Sequence, residues 1–299
     1  MESILITGGS GIIGREIISK IDKSKFEVRV LSRSKKNVDG CKVFGWDVDQ
    51  EFIEDSALEN LDHIIHLAGS NVSAGRWTNA RKKEILDSRI KSIELINSKL
   101  KNPLKTFISA SGSSYYGTKT VEQIFSEEDE IQLEASDFLG DVTHKWEAAA
   151  LKVKSNRTVI LRTPVVLSRT GGALEKLIKP IKGGIGSALG DGQQWMPWVH
   201  VDDLTNAYLS AIENDSMTGA YNVCATKHAT NLDFTKAIAR NLNKNLWAPK
   251  VPSFVLKAMF GQMSDIILKG SRVSGKKIKS TGYDYKFDNL DEALKDLLS

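Results

Sequence analysis

The stretch ILITGGSGIIGREI, residues 4–17, decides the fold of this chain. A short apolar run leads into Gly8, Gly11 and Gly14, and an apolar pattern of helical period follows. In a strand, turn and helix of this kind, the first glycine permits the tight turn, the second lets a pyrophosphate approach the backbone, and the third lets helix and strand pack closely. Free N–H groups at the start of the helix also favour a phosphate. We therefore predict a dinucleotide site with cofactor contacts from Thr7, Gly8, Gly9, Ser10, Gly11, Ile12, Ile13 and Gly14.

Strand-like and helical segments alternate through the first two thirds of the chain. The apolar runs EVRVL, KVFGWD, DHIIHLAG, KTFISA and RTVILRT are separated mainly by helical patterns. This alternation is typical of a parallel sheet covered by helices on both faces. We predict an α/β fold with a Rossmann-type doubly wound parallel sheet. A dinucleotide-binding domain would span residues 1–167, with a return around 198–226, and a smaller C-terminal α+β substrate domain would span 168–299, including a strand-like GYDYKF at 282–287.

The composition narrows the class of protein. The 299 residues are 41% hydrophobic and 26% charged with a net charge of +4, which is typical of a globular protein and too mild to indicate a nucleic-acid partner. Two cysteines without a Cys/His cluster predict no metal site and favour a reducing compartment. The chain shows no signal-like start and no long apolar run, so we expect a cytoplasmic monomer or homodimer that binds no membrane.

The residues at the end of the second predicted strand indicate which of the two nicotinamide cofactors binds. NAD sites place an acid on the ribose 2′-hydroxyl about twenty residues beyond the glycines, whereas this chain has LSRSKK. We predict that Ser32, Arg33, Ser34 and Lys35 meet a 2′-phosphate and that the cofactor is NADP(H). The alternative is that Arg33 is a surface arginine. Further cofactor contacts are expected where the third and fourth strands end, at Asp47 and Val48 and at Leu67, Ala68 and Gly69.

The spaced motifs resemble those of one enzyme family. TGGSGIIG, HLAGSNVSAGRWT, SRIKS, ISASGSSYYG, DFLGDVTHKWEAAA, LRTPVVLSRTGGAL and GDGQQWMPWVHVDDL follow in order over almost the whole chain. This set resembles the extended short-chain dehydrogenases/reductases, and more narrowly their atypical branch of epimerase family proteins. The resemblance implies hydride chemistry on a carbon that bears a hydroxyl. It also implies cofactor contacts at Arg89, Ser109, Ala110, Arg162 and Val165.

The catalytic pair of the superfamily is missing from this sequence. The resemblance implies a YxxxK pair on the helix DFLGDVTHKWEAAA, where the tyrosine is the general acid or base and the lysine holds the nicotinamide ribose. Leu139 and Thr143 stand at those two positions. A register shifted by two residues gives Asp141 and Lys145, but turns the pair roughly 200° around the helix. The nearest catalytic candidates are Ser111, Tyr115 and Tyr116, with the alternative that the tyrosines only support the site.

The substrate side offers polar and aromatic side chains. We predict substrate contacts from Asn71, Arg76, Trp77, Gln194, Trp195 and His200, because aromatic walls with a few polar anchors are typical of small-ligand pockets. The alternatives are that the tryptophans pack a domain junction and that His200 braces its loop. Nucleotide-sugar members carry an arginine where this chain has Met196, and a thioether gives a pyrophosphate no donor.

Two hypotheses of different classes remain open. The first is an NADP(H)-binding oxidoreductase or epimerase-like enzyme that acts on an unidentified small substrate. The second is a non-catalytic NADPH-binding sensor or partner-binding module that has lost the proton relay. A nucleotide-sugar epimerase is a third, less favoured hypothesis.

Overall fold

The computed structural model describes residues 1–34, 38, 40–118, 121–134 and 137–299. The strands within these ranges are β1 Glu2–Thr7, β2 Phe26–Ser32, β3 Lys42–Asp47, β4 Phe52–Ile53, β5 His63–His66, β6 Leu104–Gly112, β7 Ile124–Phe125, β8 Ser155–Thr163, β9 Val165–Ser168, β10 Trp198–His200, β11 Gly219–Asn222 and β12 Arg272–Val273. The α-helices are α1 Ile12–Lys20, α2 Asn79–Lys99, α3 Phe138–Ala150, α4 Gly172–Lys182, α5 Val201–Glu213, α6 Asn231–Asn241, α7 Ser253–Phe260, α8 Asp265–Leu268, α9 Lys276–Lys279 and α10 Leu290–Leu298.

The central sheet has eight strands among the described residues, in the order β11-β8-β6-β5-β1-β2-β3-β4. All neighbours are parallel except β3 and β4. The chain runs outward from β1 through β2 and β3, and then resumes on the other side of β1 with β5, β6 and β8. The order therefore reverses between β1 and β5, and ligands of open α/β sheets bind at the carboxyl ends of the strands beside such a reversal.

Both faces of this sheet are buried. Along β1, Ile4 and Ile6 point into one core and Leu5 into the other, as the strand period requires. Helices α1 and α5 cover the first face, and α2 and α3 cover the second. A strand covered on both faces reads as an unbroken apolar run, which is why ILI precedes the glycines. The predicted fold class, a Rossmann-type doubly wound sheet, is confirmed.

A third core lies outside the large sheet. Leu174 and Ile181 of α4 pack there with Phe234 and Ile238 of α6, beside Trp198. The short pair β9 and β10 borders this core, and β7 pairs with β12. Strand β11 rejoins the large sheet beside β8. The division into two domains at residue 167 stays a prediction.

The predicted strand GYDYKF is wrong. Tyr283 and Phe287 are buried in alternation, which produced the strand-like pattern. The backbone, however, pairs with a side chain: the N–H groups of Lys286 and Phe287 donate to the Asp203 carboxylate over 2.7 and 3.0 Å. The Tyr283 hydroxyl donates to the Asp203 carbonyl over 2.6 Å. A buried carboxylate has replaced the neighbouring strand as the acceptor for this segment.

In the described part of the chain, none of the helices combines the length and the apolar composition needed to cross a bilayer.

Candidate functional site

The turn between β1 and α1 has room only for glycine at two positions. Gly8 lies at φ +72°, and a Cβ there would come within 3.0 Å of the Leu67 carbonyl carbon. A Cβ on Gly14 would meet the Gly8 oxygen at 2.5 Å and the Gly9 Cα at 2.7 Å. The backbone therefore turns sharply and presents the start of α1. Gly11 caps this helix without a side-chain acceptor, which leaves the cap open to an anion.

Thr7 joins the loop to the neighbouring strand. Its Oγ1 accepts from the N–H groups of Leu67 and Ala68, each over 3.1 Å. The predicted contacts from the glycine loop and from the segment HLAG thus lie side by side at the reversal point. Such a cradle fits a dinucleotide, because backbone N–H groups and missing side chains are what a pyrophosphate requires.

The end of β2 carries no acid. Arg33 and Ser34 are exposed there, and the Ser32 Oγ lies 3.4 Å from the Ser34 Oγ. Lys35 falls outside the described residues. At the end of β3, the Asp47 carboxylate accepts from the N–H groups of Asp49 and Gln50 and so shapes its own turn. Its predicted adenine contact, like that of the adjacent Val48, stays a prediction.

Arg89 is a buried cation at the end of β5. Its guanidinium lies 5.0 Å from the Trp146 ring centre and is packed on Gly69, where a Cβ would approach the Arg89 Cζ to 3.1 Å. One N–H donates to the Ile85 carbonyl over 2.8 Å. Burial lowers the pKa of Arg89 to about 10, so it stays charged at neutral pH. Within the described ranges no carboxylate pairs with it, which makes it a candidate anion contact beside HLAG.

A buried ion pair lies beside the segment 109–116, here called the rim, which carries the predicted catalytic residues Ser111, Tyr115 and Tyr116. Arg162 donates from Nε and Nη2 to the two oxygens of Glu147, each over 2.9 Å. The register of β6 and β8 sets Arg162 directly beside Ser111, whose hydroxyl donates to Glu147 over 2.5 Å. The proton of Ser111 is therefore committed to the carboxylate.

Tyr116 belongs to the same network. Its hydroxyl accepts from Arg162 over 2.8 Å and donates to the Asn222 Oδ1 over 2.9 Å. Burial raises the pKa of this hydroxyl. The backbone N–H of Asn222 donates in turn to Glu127 over 2.6 Å. These contacts support the alternative of a structural Tyr116.

Tyr115 differs from these neighbours. Its ring is only partly buried, and its hydroxyl makes no hydrogen bond to the residues that the structure describes. The Arg162 Cζ lies 3.3 Å from the ring centre, and the His144 ring stacks on it at 4.2 Å between centres. Of the three predicted catalytic side chains, Tyr115 is the one whose hydroxyl is available at the rim.

Neither of the two residue pairs of helix α3 considered above can take the place of the YxxxK pair. The Thr143 hydroxyl donates to the Leu139 carbonyl over 2.7 Å and contacts the Ser114 Oγ at 2.7 Å. Asp141 and Lys145, the pair in the shifted register, lie on the exposed face and bond to each other over 2.7 Å. The helical period predicts this placement.

The segment 70–78, here called the strap, lies between β5 and α2. Arg76 donates to the carbonyls of Ala258 and Met259 at the end of α7. The Trp77 ring packs on Phe138 at 5.1 Å and lines a small cavity together with Leu139. The strap thus connects the sheet, α3 and the C-terminal helices. Asn71 bonds within it, accepting from the Ser73 N–H.

The remaining substrate candidates have partners inside the protein. Gln194 is buried and donates to the carbonyls of Leu189 and Ile267 over 3.0 and 2.8 Å. The Trp195 ring lies 4.6 Å below the Arg272 guanidinium. The substrate contacts of both residues stay predictions.

His200 caps α5. Its Nδ1 accepts from the Asp202 N–H over 3.1 Å, and burial lowers its pKa. Its ring packs on Phe287 at 4.0 Å between centres. This supports the alternative that His200 braces its loop.

The sequence reasoning missed Glu147 and His144. A signal for Glu147 is present, because an acid in the apolar run WEAAA and an arginine in the strand VILRT are both placed for burial, and buried charges need partners. Nothing local marks His144, since the Tyr115 ring that it stacks on lies 29 residues away in the sequence.

The fold and the glycine loop define the class, a Rossmann-type nicotinamide-cofactor protein. The chain belongs to the NAD dependent epimerase/dehydratase family, whose profile matches residues 4–224, and a domain of unknown function matches residues 251–297. An epimerase family protein of Staphylococcus aureus (strain MRSA252) is 34% identical over 307 residues, covering 100% of each chain. One of Staphylococcus haemolyticus is 31% identical and covers 100% of this chain and 99% of its own.

A solved structure of a human epimerase family protein with NADPH superposes with a TM-score of 0.86 at 30% identity, over 99% of this chain and 98% of that one. The UDP-glucuronic acid 4-epimerase of Bacillus cereus, in complex with UDP-glucuronic acid and NAD, has a TM-score of 0.79 at 19% identity and shows a likeness of fold alone. It covers 98% of this chain and 96% of its own. The predicted membership in the atypical extended short-chain dehydrogenases/reductases is confirmed.

Proposed function

We propose that the protein is an NADP(H)-dependent oxidoreductase or epimerase-like enzyme in which Tyr115 exchanges a proton with a small carbonyl or hydroxyl substrate. The single observation that carries this proposal is the Tyr115 hydroxyl, available at the rim above a network in which Ser111 and Tyr116 are already bonded. The cofactor, when bound, donates or accepts a hydride. In this mechanism Ser111 contributes through its hydrogen bond to Glu147 and not by direct proton transfer, because its hydroxyl already donates to that carboxylate.

The choice of NADP(H) rests on the end of β2. Arg33 is exposed at this end, which carries no acid for a ribose hydroxyl, and a guanidinium suits a phosphate dianion. The human relative carries NADPH. The glycine loop and Thr7 would hold the pyrophosphate region, and Arg89 would offer a cation beside it.

Titration with both cofactors tests this choice. Arg33→Ala should weaken NADPH binding about tenfold to hundredfold, since a charge-assisted hydrogen bond contributes about 1.5–3 kcal/mol, and leave NADH binding unchanged. Lys25→Ala, which removes an exposed cation elsewhere, is the matched control. Tighter binding of NADH than of NADPH by the parent protein would refute the assignment.

Tyr115→Phe tests the proton transfer. Turnover of NADPH with a panel of carbonyl compounds should fall about 10²- to 10⁴-fold, the usual contribution of general acid-base catalysis, while the Kd for NADPH stays constant. Tyr221→Phe on β11, whose hydroxyl accepts from the Thr218 N–H over 3.3 Å, is the matched control. Undiminished turnover in Tyr115→Phe would remove Tyr115 from the mechanism.

The second candidate function is a non-catalytic NADPH-binding sensor or partner-binding module. Leu139 and Thr143 at the YxxxK positions favour it, because neither transfers a proton at neutral pH. It predicts tight NADPH binding and no oxidation across the whole panel. The nucleotide-sugar reaction is less favoured, since Met196 is partly buried and its sulfur contacts the Asn231 Nδ2 at 3.4 Å.

A further inference from the structure

We propose that Arg162 and His144 act as positioning residues that hold the Tyr115 ring in one orientation, in a site whose helix lacks the usual tyrosine and lysine. This inference rests on the proposed function of Tyr115. The two side chains are called the Tyr115 clamp below. They come from β8 and α3, and Tyr115 comes from the 3-10 turn Ser113–Tyr116 after β6.

The clamp acts on both faces of the ring. The Arg162 Cζ lies 3.3 Å from the ring centre, and the His144 ring lies 4.2 Å away with 21° between the planes. Two planar groups this close to one centre would overlap if they shared a face, so the phenol is enclosed between them. Such a ring is hindered from flipping about its Cβ–Cγ bond, whereas its hydroxyl edge remains open at the rim.

Within the clamp, the Arg162 side chain is held in a fixed orientation by its hydrogen bonds. Its guanidinium plane is set by both Glu147 oxygens, and Nη1 donates to the Tyr116 hydroxyl. A bidentate carboxylate pair fixes orientation as well as distance. A guanidinium over an aromatic face is also attractive in its own right. The arginine therefore cannot follow the ring, and the ring must settle against it.

His144 is tied to the residue that it stacks on. Its Nε2 lies 2.9 Å from the Tyr115 carbonyl oxygen, which can only accept, so Nε2 carries a proton. Helix α3 brings His144 next to Thr143, the residue at the missing lysine position. The helix thus contacts a tyrosine on the neighbouring turn and orients it by stacking.

The experiment places 3,5-difluorotyrosine at position 115 and records ¹⁹F NMR spectra of the full chain without substrate. A clamped ring gives two resonances, because its two edges differ and exchange slowly. His144→Ala should merge them into one averaged resonance, whereas His144→Phe, which keeps a stacked ring, should retain two. The test is made at His144 because loss of Arg162 would leave Glu147 buried without its partner and endanger the fold.

Kinetics on the carbonyl panel complete the test. His144→Ala should lower kcat about tenfold at constant Kd for NADPH, and His144→Phe should recover most of that loss. A single averaged resonance in the parent protein, or two unchanged resonances in His144→Ala, overturns the clamp. If the parent shows two resonances but oxidises no NADPH, the clamp stands and the proposed function fails, so the two failures are distinguishable.

Discussion

At the scale of single residues, the Glu147 and Arg162 side chains dominate the site. Their exposed fractions are 7% and 5%, so both charges have left water and each compensates the other. Ser111 and Tyr116 complete their hydrogen bonds. Removing one partner of this ion pair should therefore destabilise the fold strongly, whatever the net contribution of the pair to stability.

Glu147→Ala should lower the free energy of unfolding by about 3–5 kcal/mol, because it strands the Arg162 charge in the interior. Urea unfolding followed by circular dichroism measures the loss. Asp141→Ala, on the exposed face of the same helix, removes a pair worth about 0–1 kcal/mol and serves as the control. Equal losses in the two variants would show that the buried pair is not held as described.

The glycine loop could be predicted from the sequence, whereas the Tyr115 clamp could not. The chemistry of the loop lies in seven consecutive residues, 8–14, and glycine is required by backbone contacts within that stretch and with Leu67, which follows β5. The clamp joins residues 115, 144 and 162, which only the β6–β8 register and the packing of α3 bring together. The sequence indicated the vacancy at Leu139 and Thr143 but not what stands in for it.

At the scale of elements, the start of α3 sets the geometry of the rim. Asp137 caps the helix by accepting from the Gly140 N–H over 2.9 Å, and its other oxygen accepts from the Thr118 N–H over 2.7 Å. Gly117, at φ +77°, makes the turn between the rim and Thr118. One carboxylate thus joins the helix that carries His144 to the turn that carries Tyr115.

Asp137→Ala should cost about 1–2 kcal/mol of stability, the usual loss for an N-cap, and should also loosen the rim. Asp137→Asn retains an acceptor for the cap and should lose less. Thermal unfolding of the two variants gives the comparison, with Thr230→Ala, which removes the cap of α6, as a second cap variant. If Asp137→Ala unfolds like the parent protein, the cap contributes nothing.

Helices and strands could be predicted where an apolar pattern in the sequence corresponds to a regular element of the fold. Apart from the two-residue β4, the strands of the large sheet and helices α1, α2 and α3 follow apolar patterns in the sequence. GYDYKF failed because the same alternation of burial serves a segment held by the Asp203 carboxylate. The pattern of apolar side chains indicates which face of a segment is buried. It does not indicate which group accepts hydrogen bonds from the backbone N–H groups of that segment.

At the scale of the whole molecule, buried and partly buried histidines make the fold sensitive to acid. Burial lowers the pKa values of His63, His66, His200 and His228, and that of His66 falls from 6.5 to about 3. Below about pH 6.5 the unfolded chain therefore binds more protons at these histidines than the folded chain does. The unfolding free energy should fall as the pH falls below about 6.5.

His66→Gln isolates the largest of these contributions. Between pH 7 and pH 5 the parent should lose about 2 kcal/mol more than the variant, since each pH unit within the window from 6.5 to about 3 costs about 1.4 kcal/mol. Glutamine can keep a hydrogen bond to the Ser92 hydroxyl, which lies 2.9 Å from the His66 Nε2. Urea unfolding at the two pH values measures this difference, and identical pH slopes would contradict it.

The strap is joined to α4 and α7 by hydrogen bonds that lie at the surface. Its bond from Arg76 to the end of α7 and its bond from Lys176 of α4 to the Ser73 hydroxyl, over 3.1 Å, are exposed to water. Water can replace exposed hydrogen bonds at little net cost. If the protein has the proposed function, the time that a ligand stays bound should depend on these few surface contacts, so Arg76→Ala should change the rate of product release without altering the proton transfer at Tyr115.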